Sequence, residues 1–301
     1  MPTFPRCASS FALVLALVAS RGAGAASATS GEAHPGQRAF AIEVARQAAR
    51  PGLDAAAIEA VLAQARYQQS IIDAISRPAE KTKPWRDYRP IFLTPQRAEQ
   101  GLAFWRENAA LLDRVSAEFG VPPEIIVAII GVETSYGRIT GRYRVLDALV
   151  TLAFYYPPRA EFFRKELAQL FLLQGETFPY QLDEVMGSYA GAMGWGQFMP
   201  SSIANYARSY DDDPRIDLWA SRPDVIASVA NYFAEHGWES GAPVARRARV
   251  APNARQVSPA DLEPVYSVAQ LDTWGYSIDG EDDPERGATL LRLEGAQGDE
   301  Y

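Results

Sequence analysis

Residues 121–137 read VPPEIIVAIIGVETSYG, and this stretch decides the fold. Proline is tolerated in the first turn of a helix and breaks its interior, so Pro122-Pro123 marks a helix start. The run IIVAII at 125–130 is apolar on every face, which predicts a helix buried all round. The helix runs out through Gly131-Val132-Glu133-Thr134-Ser135-Tyr136-Gly137. A carboxylate there sits at the negative end of the helix dipole, among apolar neighbours. Both conditions disfavour its ionised form and raise its pKa, as a general acid near neutral pH requires. A glutamate at a frayed helix end, facing water, is the plain alternative.

Outward from this stretch the pattern stays helical. Asp54 can cap a helix with Ile58, Val61, Leu62 and Ala65 on one face. Residues 77–90, rich in proline and charge, predict a loop. Thr94-Pro95 opens a helix that carries Trp105, Leu112, Val115 and Phe119 on one side and stops at Gly120. Further helices are expected over 147–156, 159–174 and 222–236, the last starting near Ser221 and ending at Gly237. Beyond 240 the character changes: VARRARV (244–250) alternates and TLLRLEG (289–295) is strand-like. The expected class is α+β, mainly α, a helical body with a small β-containing part over about 240–301.

The N-terminus carries the marks of an export signal over residues 1–28. Arg6 precedes a short apolar run, Phe11 to Ala19, and Ala23-Gly24-Ala25 and Ala26-Ser27-Ala28 are small-residue cleavage candidates. The single cysteine, Cys7, precedes the apolar run, so a lipid anchor at the cut is not expected. Residues 29–37 read as a polar linker, with the folded domain over 38–301. A periplasmic protein without stable membrane insertion is the expectation.

Net charge is −8 and the chain has three lysines, Lys81, Lys83 and Lys165, which argues against nucleic acid as a partner. The two histidines, His34 and His236, lie in the linker and at a helix end, so neither a serine–histidine triad nor a zinc site is expected. Residues 187–200 (GSYAGAMGWGQFMP) interleave glycine, aromatics and one neutral amide. Such a segment lets backbone approach a ligand closely and suits sugar rings; a tight structural turn is the alternative. It is no dinucleotide fingerprint, because Met199 stands where the third glycine belongs.

Three runs together go further: 121–163 (VPPEIIVAIIGVETSYGRITGRYRVLDALVTLAFYYPPRAEFF), 187–202 (GSYAGAMGWGQFMPSS) and 228–238 (SVANYFAEHGW). They closely resemble the lytic murein transglycosylase B family, and the likeness extends from about residue 40 to 301. The resemblance implies a lysozyme-like fold with the active-site glutamate in a deep groove. Residue by residue, Glu133 matches the catalytic acid/base and Ser188 a serine beside it. Gln197 and Tyr232 match groove residues that hold the sugars. Arg159 matches the second of two groove arginines, and Pro158 stands where the first is usual.

The implied reaction is cleavage of the β-1,4 bond between N-acetylmuramic acid and N-acetylglucosamine in peptidoglycan glycan strands, leaving a 1,6-anhydro end, with no cofactor required. A hydrolytic muramidase using the same glutamate, and a non-catalytic peptidoglycan-binding protein, are the two rivals. Family members can carry an EF-hand-like calcium loop; here its remaining candidate ligands are Asp211, Asp213 and Asp224. Ser209 replaces the first aspartate and Pro214 the turn glycine, so little calcium binding is expected. In the family the stretch ending in Asp299-Glu300 continues into a Tyr-Asn pair and a final helix. This chain is therefore expected to be a C-terminally incomplete form, with an exposed apolar patch and weaker sugar binding.

Overall fold

The computed structural model describes residues 34–76, 83–175, 177–259, 262–280 and 282–301. The expected signal over 1–28 lies outside them. The described residues form twelve α-helices: α1 (Gly36–Ala48), α2 (Ala55–Leu62), α3 (Gln69–Ile75), α4 (Trp85–Phe92), α5 (Pro95–Glu107), α6 (Ala109–Phe119), α7 (Pro123–Thr134), α8 (Val145–Tyr155), α9 (Ala160–Leu173), α10 (Pro200–Tyr206), α11 (Arg222–Glu235) and α12 (Val268–Thr273). Eight strands of two or three residues accompany them: β1 (Tyr143–Arg144), β2 (Met186–Gly187), β3 (Ala248–Val250), β4 (Tyr266–Ser267), β5 (Tyr276–Ile278), β6 (Gly287–Ala288), β7 (Leu293–Gly295) and β8 (Gly298–Glu300). They pair antiparallel as β1 with β2, β3 with β5, β4 with β6 and β7 with β8. The architecture is mainly α, with small β elements, as expected.

Contacts divide the chain into two compact units. One comprises the described residues of Met1–Pro78 with Gln96–Trp238, the other those of Ala79–Pro95 with Glu239–Tyr301. At the centre of the first unit lies α8. All ten residues from Val145 to Phe154 are buried, and α9 and α3 pack along it. Fully burying each of its Leu and Val side chains contributes about 1.5–3 kcal/mol. Two polar residues interrupt the helix, and both are satisfied. Asp147 accepts hydrogen bonds from the Arg66 amide (2.9 Å), Gln68 Nε2 (3.0 Å) and Arg144 Nε (3.1 Å). Thr151 Oγ1 accepts from the Gln68 amide. Together they fasten the segment before α3 onto α8.

Asp54 and Ser221 cap α2 and α11 through side-chain oxygens, as the spacing predicts. Four expectations need correction. Helix α1 starts at Gly36, inside the segment read as linker. Residues 85–90 belong to α4, because Pro84 can precede its first turn. The helix expected to run from Pro95 to Gly120 is two helices. Asn108 breaks it, with backbone φ −119° and its amide donating to the Phe104 carbonyl (2.7 Å) in competition with the backbone ladder. Helix α7 is not buried all round: Ile126, Val127 and Ile130 face the core, while Ala128 is exposed and Ile125, Ile129 and Val132 are half-buried. The helix walled in on every side is α8.

The second unit has its own small core of Leu271, Tyr276 and Leu290, with Trp274 and Tyr301 packed against it. Of the two strand-like stretches, only 248–250 and 293–295 form strands.

Candidate active site

Glu133 lies in the last turn of α7 and is only 8 % exposed. Its Oε2 is buried with no hydrogen-bond partner among the described residues. Burial pushes its pKa up to about 7, with no neighbouring carboxylate contributing. A carboxyl in this state holds its proton near neutrality and can both give and take it.

The chain leaves Glu133 through an unusual turn. Ser135 (φ 50°), Tyr136 (φ 61°) and Gly137 (φ 79°) are all left-handed. The turn is bonded back to α7 by Ser135 N to the Gly131 carbonyl (3.1 Å) and Tyr136 N to the Ile130 carbonyl (3.2 Å). Only a glycine fits at 137, because a Cβ there would come within 2.1 Å of the Trp195 ring.

Trp195 belongs to the glycine-rich segment, which folds as a tight loop over Gly187–Phe198. Met193 and Phe198 exchange both backbone hydrogen bonds (2.8 and 2.9 Å), and the Ser188 amide donates to the Ala192 carbonyl (2.8 Å). This loop is tied to the segment that follows Glu133, residues 134–141, at four points. Thr134 Oγ1 donates to the Trp195 carbonyl (2.9 Å). The Trp195 ring covers Gly137. Gln197 Nε2 donates to the Thr140 carbonyl (3.1 Å). Gly141, at φ 110°, lies so close to the Gly187 carbonyl that a Cβ would fall 1.9 Å from its oxygen. The strand pair Tyr143↔Gly187 continues the contact.

Within this assembly two expected residues have defined hydrogen bonds. Ser188 is 2 % exposed, and its Oγ accepts from the amides of Ala190 (3.2 Å) and Ala192 (3.0 Å). Its hydrogen is left to be donated. Gln197 is itself left-handed (φ 50°). Its amide nitrogen is fixed by the Thr140 and Gly194 carbonyls, and its Oε1 is buried with no partner among the described residues.

Tyr232, on α11, borders the loop through an edge contact with Phe198 (5.6 Å between centroids) and stacks on His236 (4.0 Å). Burial raises its phenol pKa. Arg159 stands apart. It is exposed beyond α8 with its guanidinium over Phe162, 4.4 Å from the ring centroid, and no described contact joins it to the Glu133 turn.

These features, a lone buried carboxyl beside a glycine-and-aromatic loop on a helical body, recur in known proteins. A model of the transglycosylase SLT domain matches residues 36–301. The chain belongs to the transglycosylase SLT domain family. This transglycosylase is 41 % identical over 260 residues to the membrane-bound lytic murein transglycosylase B of Escherichia coli K12, spanning 83 % of this chain and 70 % of that one. Its structure is similar to that of the catenated lytic transglycosylase SltB1 from Pseudomonas aeruginosa, with TM-score 0.83, 42 % identity, and 90 % and 88 % of the two chains covered. It is also similar to the Escherichia coli lytic transglycosylase Slt35 in complex with calcium, with TM-score 0.77, 38 % identity, and 89 % and 83 % covered.

In this transglycosylase the three candidate calcium ligands are arranged differently from a cation cage. Asp211 accepts from the Asp213 amide (2.9 Å) and Ser221 Oγ (2.8 Å). Asp224, fully buried, accepts from the amides of Tyr210 and Asp217 (2.8 Å each). Asp213 is gripped by the Arg215 guanidinium, which holds its pKa down to about 2. Among the described residues no group of three or more acidic, histidine or cysteine side chains is placed to share a metal ion.

Sequence reading missed Thr134, Thr140 and Trp195 as supports of the site. They meet only through contacts about 60 residues apart in the chain, which no local pattern encodes.

Proposed function

We propose that this protein is a peptidoglycan lytic transglycosylase in which Glu133 is the sole acid/base. One observation carries the reading: a buried, unpartnered carboxyl whose pKa of about 7 arises from burial, with no second carboxylate acting on it. Protonated Glu133 donates to the glycosidic oxygen of the β-1,4 bond between N-acetylmuramic acid and N-acetylglucosamine, and the bond to muramyl C1 breaks. Such proton transfer contributes roughly 10²–10⁴-fold in rate. Most glycosidases supply a second carboxylate at this point. Here the muramyl acetamido oxygen supports C1 instead. Ionised Glu133 then takes the proton of the muramyl C6 hydroxyl, whose oxygen closes on C1. The product is a 1,6-anhydro sugar, and no water is consumed.

Ser188, with both lone pairs occupied, donates to a substrate or carboxylate oxygen. Gln197 Oε1 accepts from a sugar N–H or O–H. Tyr232 and Arg159 serve more distant sugar positions. The reaction needs no metal or organic cofactor, and Asp211, Asp213 and Asp224 serve to hold the loop before α11. Glycan strands in the periplasm are the substrate, and nucleic acid is not a partner. The cell envelope follows from the named relatives, and the export signal expected over 1–28 supports the periplasm. Among the described residues no single helix is long and apolar enough to cross a membrane.

The test is mass analysis of muropeptides released from murein by the purified protein. Fragments one water lighter than hydrolysis products, ending in 1,6-anhydromuramyl groups, are expected. A majority of reducing ends would replace this reading with a hydrolytic muramidase. Binding without soluble fragments would replace it with a non-catalytic binding protein.

A further inference from the structure

We propose that Arg97 is a positioning residue for Glu133, acting through the left-handed turn that follows it. The inference rests on Glu133 being the acid/base. Ser135 and Tyr136 are non-glycine residues in the left-handed region, in succession, within three residues of the reacting carboxyl. Such backbone persists only where the surroundings over-determine it. One residue of α5 grips both. Arg97 Nη2 donates to Ser135 Oγ over 3.0 Å, and the Arg97 carbonyl accepts from the Tyr136 hydroxyl over 3.3 Å.

The rest of α5 completes the grip. Gly101, one helical turn beyond Arg97, faces Gly131 of α7 across the Tyr136 phenol. A Cβ at either glycine would lie within about 2.5 Å of the Tyr136 oxygen. Phe104, one turn further, stacks on the Tyr136 ring at 5.5 Å. The face of α5 carrying Arg97, Gly101 and Phe104 is thus a mould for the turn. Thr134 is meanwhile held from the other side by Trp195. Glu133 has no hydrogen bond to fix its buried Oε2, so the backbone on its C-terminal side sets where the carboxyl points. Removing the Arg97 contact releases Ser135, and with it the last turn of α7.

The experiment uses Arg97→Met, which keeps the stem and removes the donors, with Ser135→Ala, the double variant, and Arg97→Lys. Each is compared with wild type at equal folded concentration on soluble glycan strands. Expected is a fall in kcat of about 10- to 100-fold with KM within about twofold. The double variant should be no worse than the worse single one, because both remove one contact. Arg97→Lys should recover part of the rate. In Arg97→Met the pH above which the rate declines should move below 7, as Glu133 gains access to water. Wild-type kcat and an unmoved pH profile in Arg97→Met and Ser135→Ala would overturn the proposal. So would strictly additive losses, or losses that follow only the folded fraction. Glu133→Gln, measured alongside, separates the two ideas. If it stays active, the underlying assignment of Glu133 fails. If it is inactive while Arg97→Met is normal, only the positioning role fails.

Discussion

The hydroxyl of Thr134 donates to the backbone carbonyl of Trp195, 61 positions later in the chain, and accepts from the amide of Gly137. This one side chain joins the end of α7 to the glycine loop and braces the turn between them. Thr134→Val preserves the shape and removes both bonds, leaving a half-buried carbonyl and amide unpaired. A loss of roughly 1–3 kcal/mol in unfolding free energy is expected, with kcat falling further than the folded fraction. Thr134→Ser should keep most of both. Denaturant titration with murein-clearing rates checks this, and a stable, fully active Thr134→Val would show that the brace is dispensable.

Glu133→Gln should abolish cleavage while binding to murein persists, since an amide is nearly isosteric and cannot transfer the proton. It should also change how stability depends on pH. The folded-state pKa of Glu133, about 7, lies above its ordinary 4.5. The folded protein therefore holds this proton more tightly than the unfolded chain. The contribution is fully present below about pH 4.5 and is lost as pH rises through 7, a swing of about 3 kcal/mol. The variant lacks that loss and should exceed wild type in stability above pH 7, with the advantage vanishing near pH 4. For the same reason wild-type kcat/KM on soluble strands should decline above about pH 7. Parallel denaturation curves across pH, with an activity profile flat from 6 to 9, would refute the assignment.

Much of the helical body could be read from sequence because its signals are local. The double proline before α7, the caps Asp54 and Ser221, and Gly120 closing α6 each act within a few residues. Asn108 was invisible as a break because its effect depends on the side chain turning back to Phe104. Residues 85–90 read as loop because proline and charge outweighed the single favourable placement of Pro84. An all-apolar run has no face to orient it, so sequence alone places Ala128 in the interior with its neighbours. Glu133 was legible through its place at the end of that run. The tethers that shape its surroundings join segments remote in sequence, and the hold of Arg97 on Ser135 had no local signal at all.

Two glycine substitutions should differ sharply. Gly141→Ala places a Cβ against the Gly187 carbonyl, a backbone atom that cannot move without parting β1 from β2. A loss above roughly 3 kcal/mol, with loss of activity, is expected. Gly237→Ala has a similar positive φ and nothing within 4 Å, so it should cost only about 1 kcal/mol. Thermal melts of the two variants decide the matter; equal losses would mean that backbone strain alone, rather than the contact between segments, sets the cost.

Calcium should leave the melting temperature nearly unchanged. Saturating a tight site on the folded state would add about 3 kcal/mol at a hundredfold excess over Kd, a rise of several degrees. The Arg215 guanidinium already occupies the Asp213 carboxylate, and the oxygens of Asp211 and Asp224 are taken by amides and a hydroxyl. Calorimetry in millimolar calcium and in chelator checks this. A large calcium-dependent rise, removed by Asp213→Ala, would show that the loop opens to take the ion.

Helix α8 is walled in along its whole apolar length, and Asp147 and Thr151 are bonded to the segment before α3. Its amide protons have no route to solvent through fraying of an edge. They should exchange with deuterium only when the entire first unit opens, and so mark its global free energy. The paired strands of the second unit, two or three residues long around a three-residue core, should exchange much sooner. The glycine loop beside the Glu133 turn lies against this slowest-exchanging helix, Gly187 on Val145 and Gly191 on Leu149, so the loop keeps its place while the periphery breathes.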